Sequence, residues 1–386
     1  MASRNVLPPV AAGKRERVLV ASVSAGTGHV RAAEAVVEAM RIAEPRVLVS
    51  HVNVLEYART AFRRAYEDGY AFLVNRAPGA WGKIYQWSDR DHGVAERVLN
   101  HFQRAQTLAF LDLIREFAPH RLVATHFLLA PLLEMLPDHL RPPLDVVVTD
   151  FDVHRLWIHP FVDRYFVASE LAVKRLRDAG VAPERVVLSG IPIHPVFLRV
   201  MEPAAARRAV GMRGEGPVVL LLAGGQGFGA LDRVVKGLLN APMPVRIAAV
   251  SGRNEKLREA ISALTPPAHV NLVSLGFVNN MHEWMTAADV VVTKPGGLTV
   301  SEGLARGAAM VLHSAIPGQE EKNAAFVAAS GAAVRAQDES GVPAAVFNLL
   351  SRPARLSQLR DAAAGLGKPR AAFTVAQAAV SAIIAA

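Results

Sequence analysis

Short apolar runs alternate with helical patterns along most of the chain, and this alternation constrains the fold more than any other feature. Runs such as Val218–Leu222 are apolar throughout, which is typical of strands buried on both faces of a parallel sheet. Strands separated by helical stretches predict parallel sheets with helices on both faces. The fold class is therefore α/β, built from Rossmann-like domains.

The strands form two series, which predicts two domains in a chain of 386 residues. We expect an N-terminal domain over residues 15–200, a C-terminal domain over 215–365, and a helix over 366–386. In residues 202–217 the apolar residues no longer recur at a regular spacing, and this segment is interpreted as the linker. The predicted strands are Val18–Ser22, Val47–His51, Leu122–Thr125, Val146–Thr149, Tyr165–Val167, Val218–Leu222, Val245–Val250, Val270–Ser274, Asp289–Thr293, Met310–His313 and Ala332–Arg335.

The segment from Lys294 begins KPGGLTVSE and follows a predicted strand. Gly296 and Gly297 allow the main chain to approach a ligand closely. A helical pattern follows, so its first N–H groups and its positive dipole end suit a diphosphate, with Thr299 as a further donor. Glu302 lies about one turn into this helix, where its carboxylate suits the hydroxyls of a ribose.

A second polar turn, IPGQEEKN, lies one βα unit further along the chain. Its acceptors and donors suit the hydroxyls of a sugar, and they include Gln319, Glu320 and Asn323. A third candidate loop follows the first strand of the second series and contains Gly224, Gly225 and Gly227. Its backbone N–H groups suit phosphates, although many βα turns are rich in glycine.

The first series opens with the turn Gly26-Thr27-Gly28-His29. A histidine with a pKa near 6.5 accepts a proton from a hydroxyl group at neutral pH. The helix N-terminus disfavours the protonated form, so a carboxylate is expected to compensate. Asp150 ends a predicted strand of the same domain, and it is the candidate for that role or for the base itself. The competing interpretation is a histidine that only caps a helix.

The run K-P-G-G-L-T-x-S-E with the following P-G-Q-E-E-x-N closely resembles glycosyltransferase family 28. Monogalactosyldiacylglycerol synthases and bacterial processive diacylglycerol glucosyltransferases are the members that it resembles most. Further similar stretches are SAGTGH from Ser24, VTDF from Val148 and GIPI from Gly190. The resemblance extends from about Val18 to about Ala333.

The resemblance implies a GT-B architecture, two Rossmann-like domains facing across a cleft, with the terminal helix packed back on the first domain. It implies an inverting transfer of galactose or glucose from a UDP-sugar to diacylglycerol, with His29 and Asp150 as catalytic candidates. Phe277 and Val278 resemble the place where relatives hold the uracil ring, although Phe277 is equally suited to a core. The predicted donor-binding residues are Gly224, Gly225, Gly227, Phe277, Val278, Lys294, Gly296, Gly297, Leu298, Thr299, Glu302, Gln319, Glu320 and Asn323. The predicted acceptor-binding residues are Gly28, His126, His154 and Trp157.

Eight of the 24 aromatic residues fall between Tyr57 and Trp87, interleaved with basic residues. Such a mixture suits a surface of anionic lipid headgroups. Phe62, Tyr66 and Tyr70 have helical spacing, which also suits ordinary core packing. Related enzymes place their acceptor and membrane region here, so we expect diacylglycerol and an anionic membrane surface as partners.

Composition limits the remaining possibilities. The net charge of +9 is spread over both halves without a dense basic run, which argues against nucleic acid as a partner. The histidines form no close ligand cluster, so we expect no built-in cofactor or metal; UDP-hexose is the co-substrate, and stimulation by Mg²⁺ is compatible with this. No cysteine, apolar leader or long apolar run is present, and we expect a peripheral protein on the cytoplasmic face of the membrane.

Two alternative functions stay open. One is transfer of N-acetylglucosamine to a polyprenyl-linked acceptor, as in the related peptidoglycan enzyme, against which the P-G-Q-E-E turn argues. The other is a nucleotide-sugar sensor without catalysis. The sequence does not decide between glucose and galactose, or how many sugars are added.

Overall fold

The computed structural model describes residues 15–24, 26–89, 108–224 and 231–384. The chain divides into two compact units. Unit 1 comprises Met1–Pro195 with Arg370–Ala386, and unit 2 comprises Val196–Pro369. Each unit contains one six-stranded sheet in which all paired strands are parallel.

Unit 1 has the strand order β2-β1-β3-β4-β5-β6. Its strands are β1 (Arg17–Ser22), β2 (Leu48–Asn53), β3 (Arg121–Ala124), β4 (Leu144–Val147), β5 (Arg164–Val167) and β6 (Val186–Leu188). Its α-helices are α1 (Gly28–Ala43), α2 (Thr60–Arg76), α3 (Pro78–Ser88), α4 (Leu108–Phe117), α5 (Leu129–Leu133), α6 (Glu170–Asp178) and the C-terminal α15 (Ala371–Ile384). Short 3-10 helices lie at Val54–Tyr57, Asp138–Leu140, Arg155–Trp157 and Pro183–Arg185.

The unit 1 sheet is covered on both faces, as continuous apolar strands require. Leu19 and Leu122 face one core, which α4 helps to cover through Phe110. Val18 faces the other core, where α1 and the C-terminal α15 pack together. The helix α15 therefore belongs to unit 1.

Unit 2 has the strand order β12-β11-β10-β7-β8-β9. Its strands are β7 (Val218–Leu222), β8 (Val245–Val250), β9 (Val270–Leu275), β10 (Val290–Thr293), β11 (Met310–Leu312) and β12 (Ala333–Arg335). Its α-helices are α7 (Pro203–Ala209), α8 (Leu231–Leu238), α9 (Glu255–Ser262), α10 (Met281–Ala287), α11 (Gly297–Ala305), α12 (Gln319–Ala329), α13 (Val342–Leu350) and α14 (Pro353–Leu366). A 3-10 helix over Pro195–Leu198 spans the boundary between the units.

Each sheet reverses its direction of growth once, and the two reversals mark where ligands are expected. In unit 1 the chain runs from β1 to β2 on one side and then returns to β3 on the other. In unit 2 it runs from β7 through β8 and β9 and returns to β10. Open α/β sheets bind ligands outside the carboxyl ends of the strands at such reversals. His29 follows β1, Gly224 follows β7 and Lys294 follows β10, so all three predicted loops lie at reversal points.

Two local predictions were wrong. Part of the predicted linker is helix α7, which starts with a proline at its first turn and packs on α10. The Arg207 guanidinium of α7 donates to Asp289 at 2.6 Å and to the Ala287 carbonyl at 3.0 Å, which fixes the helix to unit 2. The edge strand β6 was missed because it has only three residues and none of them is buried.

Candidate active site

His29 is the second residue of α1, directly beyond β1. Its Nδ1 atom lies 2.9 Å from the Thr125 carbonyl oxygen and 2.9 Å from Thr149 Oγ1. The Thr125 hydroxyl in turn donates to the His29 carbonyl at 2.9 Å. Thr125 follows β3 and Thr149 lies just beyond β4, so three strand ends hold one imidazole.

These partners assign the tautomer of His29. A carbonyl oxygen only accepts hydrogen bonds, so Nδ1 carries the proton and donates it to Thr125. The neutral ring then presents a lone pair at Nε2. A general base accepts a proton through such a lone pair.

The pKa of His29 is lowered, which is the direction expected at a helix N-terminus, but the main cause is burial. Burial lowers its pKa to about 4, and the hydrogen bond to Thr125 opposes this shift only in part. Desolvation disfavours the charged ring, which explains the direction. The partner that stabilises Nδ1–H is a carbonyl oxygen, in the place where we expected a carboxylate.

Two predicted acceptor residues, His126 and Trp157, pack against His29. The His126 ring is 4.6 Å from the His29 ring in an edge-to-face arrangement, and the Trp157 ring is 6.3 Å away. His126 is 2% exposed and Trp157 is 3% exposed, so both form the wall behind His29. Burial holds the pKa of His126 well below its usual value. Their contact with an acceptor stays a prediction, as does that of Gly28, which has open space beside its Cα.

His154 and Asp150 lie beside the end of α3. His154 Nε2 is 3.1 Å from the Tyr85 carbonyl oxygen, to which it donates, and the two rings are 4.5 Å apart. Burial raises the pKa of the Tyr85 hydroxyl, and the charge of Asp150 raises it further. Asp150 is therefore close to Tyr85; its role as base or as partner of His29 stays a prediction.

A loop contact that the sequence did not reveal supports the His29 turn. Asn53 ends β2, and its Oδ1 accepts from the Ser24 backbone N–H at 3.2 Å while its Nδ2 donates to Ser24 Oγ at 2.9 Å. The side chain thus clamps the chain that leads from β1 to α1. Ser24 and Asn53 are 29 residues apart in the sequence, and they meet because β1 pairs with β2.

In unit 2, the predicted phosphate turn leads into α11. The N-cap residue of this helix is Gly296, so no N-cap side chain occupies the first backbone N–H groups. Lys294 is half-buried beside the turn and contributes a positive charge. Gly297, Leu298 and Glu302 are buried, and Thr299 is half-buried. An uncapped helix start beside a lysine is suited to an anion.

The second polar turn, which precedes α12, meets the first. Glu320 Oε2 accepts from the Ile316 N–H at 2.8 Å, and Glu320 Oε1 lies 3.6 Å from the position that a Cβ at Gly296 would occupy. Asn323 is 0% exposed, and its Nδ2 donates to the Pro295 carbonyl at 3.2 Å. The turn needs glycine at Gly318, which has a φ of 98°. The structure thus gives Glu320 and Asn323 a role in joining the turns, and Gln319 is half-buried beside them.

The remaining donor predictions concern two loops. Gly224 has a φ of 76°, which explains the glycine, whereas Gly225 and Gly227 lie outside the described residues. Phe277 is 56% exposed, so the alternative of a core residue is wrong. The Arg253 guanidinium lies 5.5 Å from the centre of its ring, and Val278 is half-buried.

No group of three histidine, aspartate or glutamate side chains within the described ranges is placed to hold a metal ion. No helix in the same ranges is long and apolar enough to cross a membrane. The predicted absence of a built-in cofactor stays a prediction.

Two family models match this chain. Residues 29–193 match monogalactosyldiacylglycerol (MGDG) synthase, and residues 218–374 match the glycosyltransferase family 28 C-terminal domain. The processive diacylglycerol beta-glucosyltransferase of Bacillus subtilis (strain 168) is 28% identical over 357 residues, 89% of this chain and 90% of that relative. The protein of the same name from Bacillus mycoides (strain KBAB4) is 34% identical over 231 residues, and this alignment spans 60% of this chain and 59% of the relative.

Solved structures confirm the predicted GT-B fold. Acinetobacter baumannii MurG aligns with a TM-score of 0.59 at 15% identity, covering 95% of this chain and 99% of MurG. Anabaena Alr3699/HepE in complex with UDP and glucose aligns with a TM-score of 0.57 at 13% identity, covering 95% of this chain and 100% of that chain. At such identities the likeness concerns the fold alone.

Proposed function

We propose that this chain, which belongs to glycosyltransferase family 28, transfers a hexose from a UDP-sugar to the free hydroxyl of diacylglycerol with inversion. The observation that carries the proposal is the His29 imidazole at the unit 1 reversal point. Its Nδ1–H is held by the Thr125 carbonyl, which leaves the Nε2 lone pair for an incoming hydroxyl. The relatives named for diacylglycerol glucosyl transfer support the choice of acceptor.

In the proposed reaction, the acceptor oxygen attacks the anomeric carbon as the bond to UDP breaks. The acceptor proton passes to His29 Nε2, and the negative charge leaves on the UDP phosphate. A pKa near 4 keeps His29 unprotonated at neutral pH, so it is always in the accepting form. The same low pKa makes it a weak base, so proton transfer should accompany the attack. Asp150 is the alternative base.

The donor would lie along the carboxyl edge of the unit 2 sheet. We assign the diphosphate to Lys294 and to the start of α11, with Glu302 on the ribose. Gln319, Glu320 and Asn323 are assigned to the hexose. The uncapped start of α11 at Gly296 supports this arrangement.

We propose glucose as the hexose. Relatives that align over about nine-tenths of this chain are named as glucosyltransferases, whereas the family model over residues 29–193 carries a galactolipid name. The two sugars differ in the orientation of one hydroxyl, so the assay must include both donors. Mg²⁺ is expected at most to stimulate, through the UDP phosphates.

We place the enzyme at the cytoplasmic face of an anionic membrane. Helices α2 and α3 expose large apolar side chains at Phe72, Ile84 and Trp87. Exposed basic residues of the same helices include Arg64 and Lys83. Apolar and basic side chains together are suited to lipid headgroups.

The test is an incubation of purified protein with diacylglycerol vesicles and either UDP-glucose or UDP-galactose, with and without Mg²⁺. Mass spectrometry and sugar analysis identify the lipid. We expect a glucolipid from UDP-glucose, lost in His29→Ala and retained in His139→Ala, an exposed histidine of the same unit. Asp150→Asn decides between the two candidate bases.

Formation of a galactolipid from UDP-galactose would show that the proposed donor sugar, glucose, is wrong. If UDP binds and no glycolipid forms, the diacylglycerol assignment fails. Product from N-acetylglucosamine and a polyprenyl acceptor would then identify the first alternative. If the protein forms no product, and His29→Ala binds the donor as well as wild type does, the protein would be identified as a sensor.

A further inference from the structure

His313 follows β11 at the carboxyl edge of the unit 2 sheet, and none of the assignments above uses it. Its side chain is 4% exposed. Its Nε2 atom is buried and has no hydrogen-bond partner in the part of the chain that the structure describes. An unpaired buried nitrogen is costly, so such an atom in a polar site indicates a ligand.

The other ring nitrogen of His313 belongs to a hydrogen-bonded chain. Nδ1 is 2.9 Å from Ser314 Oγ, and this hydroxyl donates to Glu339 Oε1 at 3.0 Å. Glu339 Oε2 accepts from Arg233 at 2.8 Å, which holds the carboxylate in place. Because the Ser314 proton goes to Glu339, Ser314 Oγ must accept from His313 Nδ1–H. Nε2 therefore carries a lone pair and can accept a hydrogen bond.

The backbone and the electrostatics fix this arrangement. Ser314 has a φ of 47°, in the left-handed region that a serine rarely adopts, and its hydroxyl contacts both His313 and Glu339. Burial, with a smaller contribution from the Lys294 charge, lowers the pKa of His313 to about 4 against the opposing charge of Glu339. The ring is thus neutral, and its free nitrogen accepts at neutral pH.

The position along the sheet edge indicates which part of the donor meets His313. The diphosphate is assigned to the reversal point between β7 and β10, and Phe277 with Val278 follows β9. Strand β11 lies one strand beyond β10 on the side away from β9, a step of about 4.8 Å. The chain after β11 continues into α12, which carries the residues assigned to the hexose. A nucleotide sugar laid along this edge ends with its sugar near β11.

We propose that His313 Nε2 accepts a hydrogen bond from a hydroxyl group of the hexose of the bound UDP-sugar. This inference deepens the proposed function and rests on its donor site. Ser314 and Glu339 act through His313 as positioning residues, since they set its tautomer without touching the sugar.

Titration calorimetry with UDP-glucose and with UDP tests the inference on purified protein without acceptor. His313→Phe should weaken UDP-glucose binding roughly tenfold, as expected for one lost hydrogen bond to a buried group, and leave UDP binding within about twofold. His313→Gln, whose amide oxygen also accepts, should recover part of the loss. His269→Gln, at the amino end of β9 in the same unit, is the control and should bind both ligands normally.

Equal losses for UDP and UDP-glucose would overturn the hexose assignment, and so would unchanged binding of both. If wild-type protein binds UDP-glucose but makes no glycolipid, the proposed function fails while the same binding curves still decide the role of His313.

Long-range ¹H–¹⁵N spectra of histidine-labelled protein give an independent reading. The Nε2 resonance of His313, assigned by its loss in His313→Gln, should show an unprotonated nitrogen. It should shift with UDP-glucose and stay in place with UDP. A protonated Nε2 would overturn the inference.

Discussion

At the scale of single residues, the chemistry of His29 is set by neighbours from distant parts of the chain. The Thr125 carbonyl fixes the tautomer, and the Thr149 hydroxyl lies 2.9 Å from the same nitrogen. Thr149 is 6% exposed, so its hydroxyl has few alternatives in water. Removing that hydroxyl should loosen the ring without removing the base.

We therefore predict that Thr149→Val lowers kcat roughly fivefold and leaves the KM for UDP-glucose unchanged, because one oriented hydrogen bond is worth about 1 kcal/mol. Thr374→Val is the matched control, since the Thr374 hydroxyl donates to the nearby Arg370 carbonyl at 3.3 Å. Steady-state glycolipid formation measures both. A wild-type kcat in Thr149→Val would show that the hydroxyl does not position His29.

The pH dependence is a separate consequence of the same site. The base form of His29 is lost only as the pH falls through its folded pKa of about 4. The acid limb of kcat/KM should therefore lie near pH 4 and not near 6.5. Circular dichroism at each pH separates this limb from unfolding. An inflection near 6.5 in folded protein would exclude a buried, neutral His29 as the base.

At the scale of elements, α2 and α3 present two different surfaces. Phe62 and Tyr66 pack against the unit 1 core. Phe72 is 62% exposed and Trp87 is 51% exposed. The core interpretation and the lipid interpretation of this aromatic segment therefore apply to different side chains.

If the exposed residues enter a lipid surface, Phe72→Ser and Trp87→Ser should each weaken binding to anionic vesicles about tenfold, since burying a large apolar side chain is worth about 1.5–3 kcal/mol. Leu171→Ser on α6 removes an apolar residue that is 46% exposed elsewhere in unit 1, and it should bind normally. Vesicle sedimentation measures the three variants. Equal losses in all three would indicate general instability in place of a membrane surface.

Elements were easier to predict than the contacts between them. Strands such as β7 and β8 were predicted with their observed ends, because an uninterrupted apolar run has one stable location in a parallel sheet. The partners of His29 were not predicted, since Thr125 after β3 and Thr149 after β4 lie 96 and 120 residues further along the chain. His313 was also missed as a site residue, because the sequence shows a histidine after a strand and not its unpaired nitrogen.

At the scale of the whole molecule, burial keeps several histidines neutral. The pKa values of His29 and His51 in unit 1 and His313 in unit 2 are each lowered to about 4. In the unfolded chain these groups titrate near 6.5, so the unfolded state binds more protons between these values. The stability that they contribute is fully present above pH 6.5 and falls as the pH drops through 6.5 towards 4.

His51 allows this linkage to be tested away from the proposed catalytic and donor sites. Its Nε2 is 2.8 Å from Ser22 Oγ, and a glutamine replaces the polar contact without a group that titrates. Between pH 7.5 and 5, the wild-type free energy of unfolding should fall by about 1–2 kcal/mol more than that of His51→Gln, which follows from one lowered histidine pKa. Urea unfolding at the two pH values measures the difference, and His139→Gln, an exposed histidine, should behave as wild type. If His51→Gln loses as much stability as wild type on acidification, His51 is not held neutral by the fold.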